Sequence, residues 1–190
     1  DAKMFNQCQW VSIELTQVSR QSDPTFLHIL DHLRTSQVGN SDLMQLNQRV
    51  GAQLDESDSK LAITLSTRRD TVDFINENKL RELPGEATLF RGNIEGEFPE
   101  SSLPTPIELY LKTGAQVIFI KNDIDHQWVN GTLGTIIGFD DDQDSRIFVR
   151  TENGDDVMVE QAAWSNMRYH FNETEKKIEE EEIGRYTQYP

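Results

Sequence analysis

LYLKTGAQVIFIKNDIDHQWVNGTLGTIIGF, residues 109–139, decides how the second half of the chain folds. Two apolar runs, Gln116–Lys121 and Gly131–Phe139, flank a polar connection that closes on Asn130-Gly131. Asn and Gly both tolerate the positive φ of a tight turn, so apolar runs around them predict antiparallel strands. The same pattern recurs downstream, where Ile147–Arg150 and Val157–Val159 are joined through Asn153-Gly154. In the run 133–139, Leu133, Ile137 and Phe139 fall on one side by period two, and Ile147/Val149, Val157/Val159 and Tyr169/Phe171 repeat the alternation. About five such strands suffice for a small barrel.

Towards the C-terminus two readings compete. Glu175–Ile183 has helix propensity, whereas Trp164–Phe171 and Lys177–Tyr189 around Asn172-Glu173-Thr174 form a long β hairpin. The hairpin is the favoured reading.

On the N-terminal side the period changes. Residues 85–106 hold Gly92, Gly96, Pro99, Pro104 and Pro106 without a period and predict an irregular crossover. Before them, two strand–turn–helix units follow each other. Val11–Thr16 alternates Val11, Ile13 and Leu15 with polar residues, and Ser22-Asp23-Pro24 then starts a helix carrying Phe26, Leu27, Leu30 and Leu33. Gly39-Asn40-Ser41 breaks it and caps another helix with Leu43, Leu46 and Val50. Leu61–Leu65 is a second strand, followed by Ser66-Thr67-Arg68-Arg69 and a helix carrying Val72, Ile75, Leu80 and Leu83. Repeated strand, polar turn and helix predict an α/β fold with a parallel sheet. The expected organisation is an α/β domain over 1–84, a crossover over 85–106 and a small β-barrel with a long returning hairpin over 107–190.

The chain has 190 residues, with 18 Lys and Arg against 33 Asp and Glu, a net charge of −15. The excess is uneven, about −3 over 1–84 and −12 over 85–190. Such acidity disfavours a broad basic nucleic-acid surface, yet leaves room for a local contact. Cys8 stands alone, so no intrachain disulfide forms. No apolar run approaches the roughly 20 residues of a membrane helix, and no signal-peptide pattern is present. A membrane is not expected as a partner, and the expected location is cytoplasmic, nucleoid-associated in a bacterium. Because the chain begins at Asp1 and ends at Tyr189-Pro190, it reads as a piece of something longer.

Several residue groups are candidates for chemistry. Arg20-Gln21 lies between a predicted strand and a capped helix, at the carboxyl edge where α/β sheets bind ligands. An Arg there can stabilise charge on a γ-phosphate, while a plain surface Arg is the alternative. Thr67-Arg68-Arg69 occupies the equivalent place after the second strand, where helix-start N–H groups and two guanidiniums suit phosphate. Helix-start decoration is the alternative there. His28 and His32 are spaced as metal ligands on a helix, but Ile29 stands where a zinc-protease helix needs Glu, and no third ligand is evident; no metal is expected. Asp140, Asp142 and Asp144 open like a calcium loop, but Ser145 and Thr151 occupy its Gly and Glu positions, which predicts a solvated turn. No G-x-x-x-x-G-K-S/T occurs, so the chain has no nucleotide-binding P-loop of its own.

Four ordered blocks resemble the Pif-type, RecD-like DNA helicases of superfamily one. The segment 15–23, Leu-Thr-Gln-Val-Ser-Arg-Gln-Ser-Asp, is similar to their motif IV pattern L-x-x-V-Y/F-R-Q-x-D. Leu65-Ser66-Thr67-Arg68 with Val72-Asp73 and Ile75-Asn76 resembles their next block. Gly114-Ala115-Gln116-Val117-Ile118, Lys121-Asn122 and Val129-Asn130-Gly131 through Gly134 resemble their G-x-Q-V-M, K-N and V-N-G-x-x-G signature. Thr187-Gln188-Tyr189-Pro190 looks like the lead-in to motif V.

The resemblance implies a partial second RecA-like domain, a partial parallel sheet interrupted by an inserted Src-homology-3-like barrel. It implies a piece of an ATP-dependent DNA helicase of 5′–3′ type, an ATP hydrolase with a part in DNA repair, although the residues themselves give no direction. ATP and Mg2+ would be held by the missing first RecA-like domain, and this chain alone would bind neither and be inactive. Arg20, with Gln21 beside it, would reach the γ-phosphate across the interdomain cleft. Thr67 and Arg68 would touch the phosphates of single-stranded DNA, and Lys121, Asn122 and Asn130 would be the barrel's polar contacts to the strand. Ser19 departs from the family, which has an aromatic there. A severed sheet edge would let the piece pair with itself. The competing reading is a stand-alone acidic binding or scaffold module for a protein partner.

Overall fold

The computed structural model describes residues 2–15, 18, 21–53, 61–140 and 146–190. They form two compact units, 1–55 and 56–190.

In the first unit a short 3-10 turn, Ala2–Gln7, is followed by α1, Pro24–Arg34, and α2, Asn40–Asn47. Helix α1 starts where the sequence predicts it. The Asp23 carboxylate accepts the N–H groups of Thr25 at 2.9 Å and Phe26 at 3.2 Å, and Pro24 presets the first helical φ. A cap of this kind contributes about 1 kcal/mol to helix stability. Ile29 and Asp42 are the buried side chains among the described residues of this unit, so its core is thin.

The predicted strand over Val11–Thr16 is not formed. Among its described residues, 11–15 make no ladder and Val11, Ile13 and Leu15 stand exposed. Residues 61–65 behave alike, with Leu65 exposed. Period-two alternation makes a chain able to join a sheet, but a strand exists only when a neighbour takes its backbone groups. Every strand pair among the described residues is antiparallel, so the expected parallel sheet is absent from them.

Among its described residues the second unit opens with α3, Arg69–Glu82, and continues with nine strands. These are β1 Thr88–Arg91, β2 Asn93–Gly96, β3 Glu108–Leu111, β4 Gln116–Ile118, β5 Leu133–Phe139, β6 Ile147–Thr151, β7 Asp156–Val159, β8 Ala162–Asn172 and β9 Lys177–Gln188. Strands β4-β5-β6-β7 form a four-stranded meander, β2-β9-β8 a three-stranded sheet and β1-β3 a ribbon. The expected crossover over 85–106 is thus partly ordered: β1 and β2 lie within it and pair with β3 and β9. Helix α3 belongs with this second unit, since Leu80 and Leu83 pack on its core.

That core comprises Phe90, Ala115, Phe119, Trp128, Ile136, Ile147, Val149, Val157, Val159 and Tyr189. The β6 and β7 alternation is as the sequence predicts. In β5 the inward set is instead Gly134 and Ile136, while Ile137 is exposed, because a bulge interrupts the ladder between Ile136 and Gly138. Gly134 is required there: a Cβ would lie 2.4 Å from Val149 Cγ1. The turn glycines Gly131 and Gly154 have φ of 99° and 92°, as their Asn-Gly pairs imply.

The hairpin reading of the C-terminal segment is the one observed. Strands β8 and β9 pair from Ala162↔Gln188 to Asn172↔Lys177. The base of the hairpin is pinned by Tyr186 and Gln188, both 0% exposed. The Tyr186 hydroxyl lies 3.1 Å from the carbonyl oxygens of Thr105 and Pro106, and Gln188 Nε2 donates to Pro106 O at 3.2 Å and Ile107 O at 3.0 Å. No helix among the described residues is long and apolar enough to cross a membrane.

Candidate nucleic-acid interface

The β4–β5 loop, residues 119–132, is held by its own interior. Trp128 is buried and stacks on Phe119 with ring centroids 4.4 Å apart. Its indole N–H donates to Lys121 O at 3.1 Å, and Asp123 N donates to Trp128 O at 3.2 Å. The loop mouth is closed by Phe119 N to Thr132 O at 2.9 Å and Gly131 N to Phe119 O at 2.7 Å. Such a frame fixes the positions of the side chains it carries.

Three of the predicted site residues meet on this frame. Asn122 Oδ1 accepts the backbone N–H of Asn130 at 2.7 Å, which ties the two arms of the loop together. The Asn130 side chain is exposed and has no partner among the described residues. Lys121 Nζ donates to Ala163 O and lies 5.0 Å from the centre of the Trp164 ring, a cation–π contact that holds the ammonium on β8. Trp164 is the member that sequence reading passes over. Its position in the hairpin is legible, but its pairing with a lysine 43 residues earlier in the chain is a tertiary fact. Beside these polar groups Ile124 is 90% exposed and Val129 and Ile118 are also exposed.

A second polar group lies at the start of α3. Thr67 and Arg69 are exposed, and Arg68 N donates to Ser66 Oγ at 3.2 Å. The Arg68 guanidinium is engaged: Nε donates to Asp70 Oδ1 at 3.0 Å and its Nη2 to Asp70 Oδ2. This pairing raises the Arg68 pKa and holds Asp70 below the usual carboxylate range. Arg69, by contrast, has no partner among the described residues. Of the two guanidiniums at this helix start, an acid in the first turn thus engages one.

Of the motif IV pair, Arg20 lies outside the described residues, while Gln21 is exposed in the first unit just ahead of the Asp23 cap. Asp142 and Asp144 of the calcium-like run also lie outside the described residues. The outer part of the hairpin is acidic. Glu179–Glu182 line β9, with Glu179 paired to His170 at 2.9 Å and Glu182 to Arg185 at 2.9 Å.

No family model matches the chain. The ATP-dependent DNA helicase PIF1 of Danio rerio is 33% identical over 148 residues, 73% of this chain and 22% of that protein. Among solved structures, Bacteroides sp Pif1 in complex with ADP-AlF4 superposes with a TM-score of 0.76 at 32% identity, over 94% of this chain and 40% of that one. Bacteroides Pif1 bound to single-stranded DNA superposes at 0.61 with 34% identity, over the same shares of the two chains. A mixed α/β architecture and this run of similarity define a helicase-type segment. The chain matches a segment of the Pif1-type helicases, and it spans about a fifth to a quarter of the length of the curated relatives it first matches.

Proposed function

We propose that this chain is part of an ATP-dependent DNA helicase, in which it supplies contacts to single-stranded DNA and one arginine to the ATPase cleft. The observation that carries the reading is the β4–β5 loop. A stacked Trp128–Phe119 interior presents Lys121, Asn122 and Asn130 together, and a neighbour at 34% identity is bound to single-stranded DNA. Lys121, Arg69 and the exposed Thr67 suit phosphates; Ile124 and Val129 suit the apolar face of a base.

In this reading residues 1–84 belong to a second RecA-like domain, residues 85–106 are a crossover, and residues 107–190 form an inserted small barrel whose long hairpin returns to that domain. The exposed 11–15 and 61–65 segments support it, because their alternation fits strands whose neighbours lie elsewhere in the parent protein. A piece without those neighbours has edges open to self-association. ATP and Mg2+ are then held by the first RecA-like domain of the parent, since no P-loop pattern occurs in this sequence. The chain's own share of the chemistry is Arg20, which stabilises charge on the γ-phosphate, with Gln21 beside it. Single-stranded DNA and that first domain are the partners, in a cytoplasmic protein that is nucleoid-associated if bacterial.

Arg20→Ala in the full-length parent tests the motor half of the reading. ATP turnover falls by about a thousandfold, the order that such an arginine contributes, while single-strand affinity stays unchanged. Unchanged turnover would remove Arg20 from the cleft.

A second reading rests on the distal hairpin, where Tyr169, Phe171 and Ile178 stand exposed beside the Glu179–Glu182 run. This face fits an acidic module that holds a protein partner. Single-strand binding that is unaffected by changes at Lys121 and Asn130 would favour it.

A further inference from the structure

The first unit contains a cluster that the helicase reading leaves unused. His28 and His32 lie one turn apart on the same face of α1, with ring centres 3.9 Å from each other. The missing third group comes from α2. The Asp42 carboxylate, on a residue only 4% exposed, accepts His32 Nδ1 at 2.8 Å. One ligand atom from each of the three residues lies within 4.8 Å of the other two.

We propose that His28, His32 and Asp42 form a binding site for a divalent first-row transition-metal ion, Zn2+ foremost, that fastens α1 to α2. Two imidazoles and a carboxylate are the donor set such ions prefer, and three protein ligands leave a fourth position for water. Zinc–ligand bonds of about 2.0–2.2 Å place tetrahedral ligand atoms about 3.4 Å apart. The cluster reaches that spacing by rotation of the exposed His28 side chain and a small parting of His32 from Asp42.

A hydrogen bond from His32 to Asp42 alone would also brace the two helices. Two further features favour a metal. His28 takes no part in that brace, yet its ring lies against His32, an arrangement that suits two ligands sharing one ion. Asp42 is also oriented from behind: Gly39 N donates to Oδ2 at 2.9 Å, the outer-shell support typical of ligating carboxylates. A thin unit, with Ile29 and Asp42 as its buried side chains among the described residues, is also where a metal staple adds most to folding.

The test is calorimetric titration of Zn2+ into the full 190-residue chain. Co2+ serves as the spectroscopic probe. The expected result is one ion per chain with micromolar affinity, a visible Co2+ spectrum of four-coordinate type, and a loss of at least about tenfold in affinity for His28→Ala. His28 is exposed, so this variant folds; His170→Ala, which removes an exposed histidine on β8, leaves binding unchanged. No binding, or binding equally strong in His28→Ala, overturns the proposal.

Discussion

Arg68 and Asp70, two positions apart at the start of α3, form a two-pronged ion pair in which Nε meets Oδ1 at 3.0 Å and Nη2 meets Oδ2. The arginine that the resemblance assigns to the DNA strand is therefore held by an acid of its own helix. A phosphate must compete with Asp70 for it, or bind Arg69 instead.

Asp70→Asn removes that competitor. Single-strand affinity of the parent helicase rises by up to about fivefold, the most an exposed pair of this kind contributes, and binding becomes more salt-sensitive. Fluorescence anisotropy with a short oligonucleotide measures both. A fall in affinity would show that the pair positions Arg68 rather than withholding it.

Trp128 carries the frame of the β4–β5 loop through its stack on Phe119 and its bond to Lys121 O. Trp128→Ala costs about 3–5 kcal/mol, the range for deleting a buried large aromatic. Chemical denaturation of the chain reads this directly; a loss below about 1 kcal/mol would mean the loop is held from elsewhere.

Gly184 in β9 faces Gly96 of β2, and a Cβ on it would lie 2.1 Å from Glu97 O, a backbone atom. Gly184→Ala is expected to cost about 1–3 kcal/mol and to separate the β2 edge from the hairpin. Gly138→Ala, with nothing within 4 Å of the added atom, is the near-neutral control in the same thermal melt.

The Arg150–Asp156 pair across β6 and β7 makes stability depend on acid. Arg150 Nε donates to Asp156 Oδ1 at 2.7 Å and lowers the Asp156 pKa. A depressed folded-state value means the contribution is fully present above the unfolded carboxylate value of about 3.9. It is lost as the pH falls through the lower folded value. Because both side chains are about half exposed, the effect is small. Asp156→Asn flattens the acid limb of a Tm-versus-pH curve below about pH 4 and lowers the plateau above it. An unchanged limb would assign the acid sensitivity to other carboxylates.

Local chemistry was legible in the sequence, and anything needing a distant partner was not. The Asp23-Pro24 helix start, the Asn-Gly turns and the 162–188 hairpin follow from short-range φ preferences and alternation, and they stand in the structure. The strands at 11–15 and 61–65 fail for the opposite reason, since alternation cannot say whether a neighbour is present. The β5 bulge moved burial from Ile137 to Ile136, a one-residue shift that no period-two reading detects. At the site, Lys121, Asn122 and Asn130 were found through a resemblance, and their mutual geometry came only with the fold. Asp42 escaped because it is ten residues from His32 and reaches it through a helix–helix turn.

Whether the β4–β5 loop touches a single DNA strand is decided by Lys121→Met. The change keeps a long unbranched side chain and removes the ammonium that lies over Trp164. In the full-length parent, the slope of log affinity against log salt is predicted to shrink by about 0.7, the value of one single-strand phosphate contact, with unwinding reduced in step. An unaltered slope and affinity would contradict the account and leave this loop with no role on the strand.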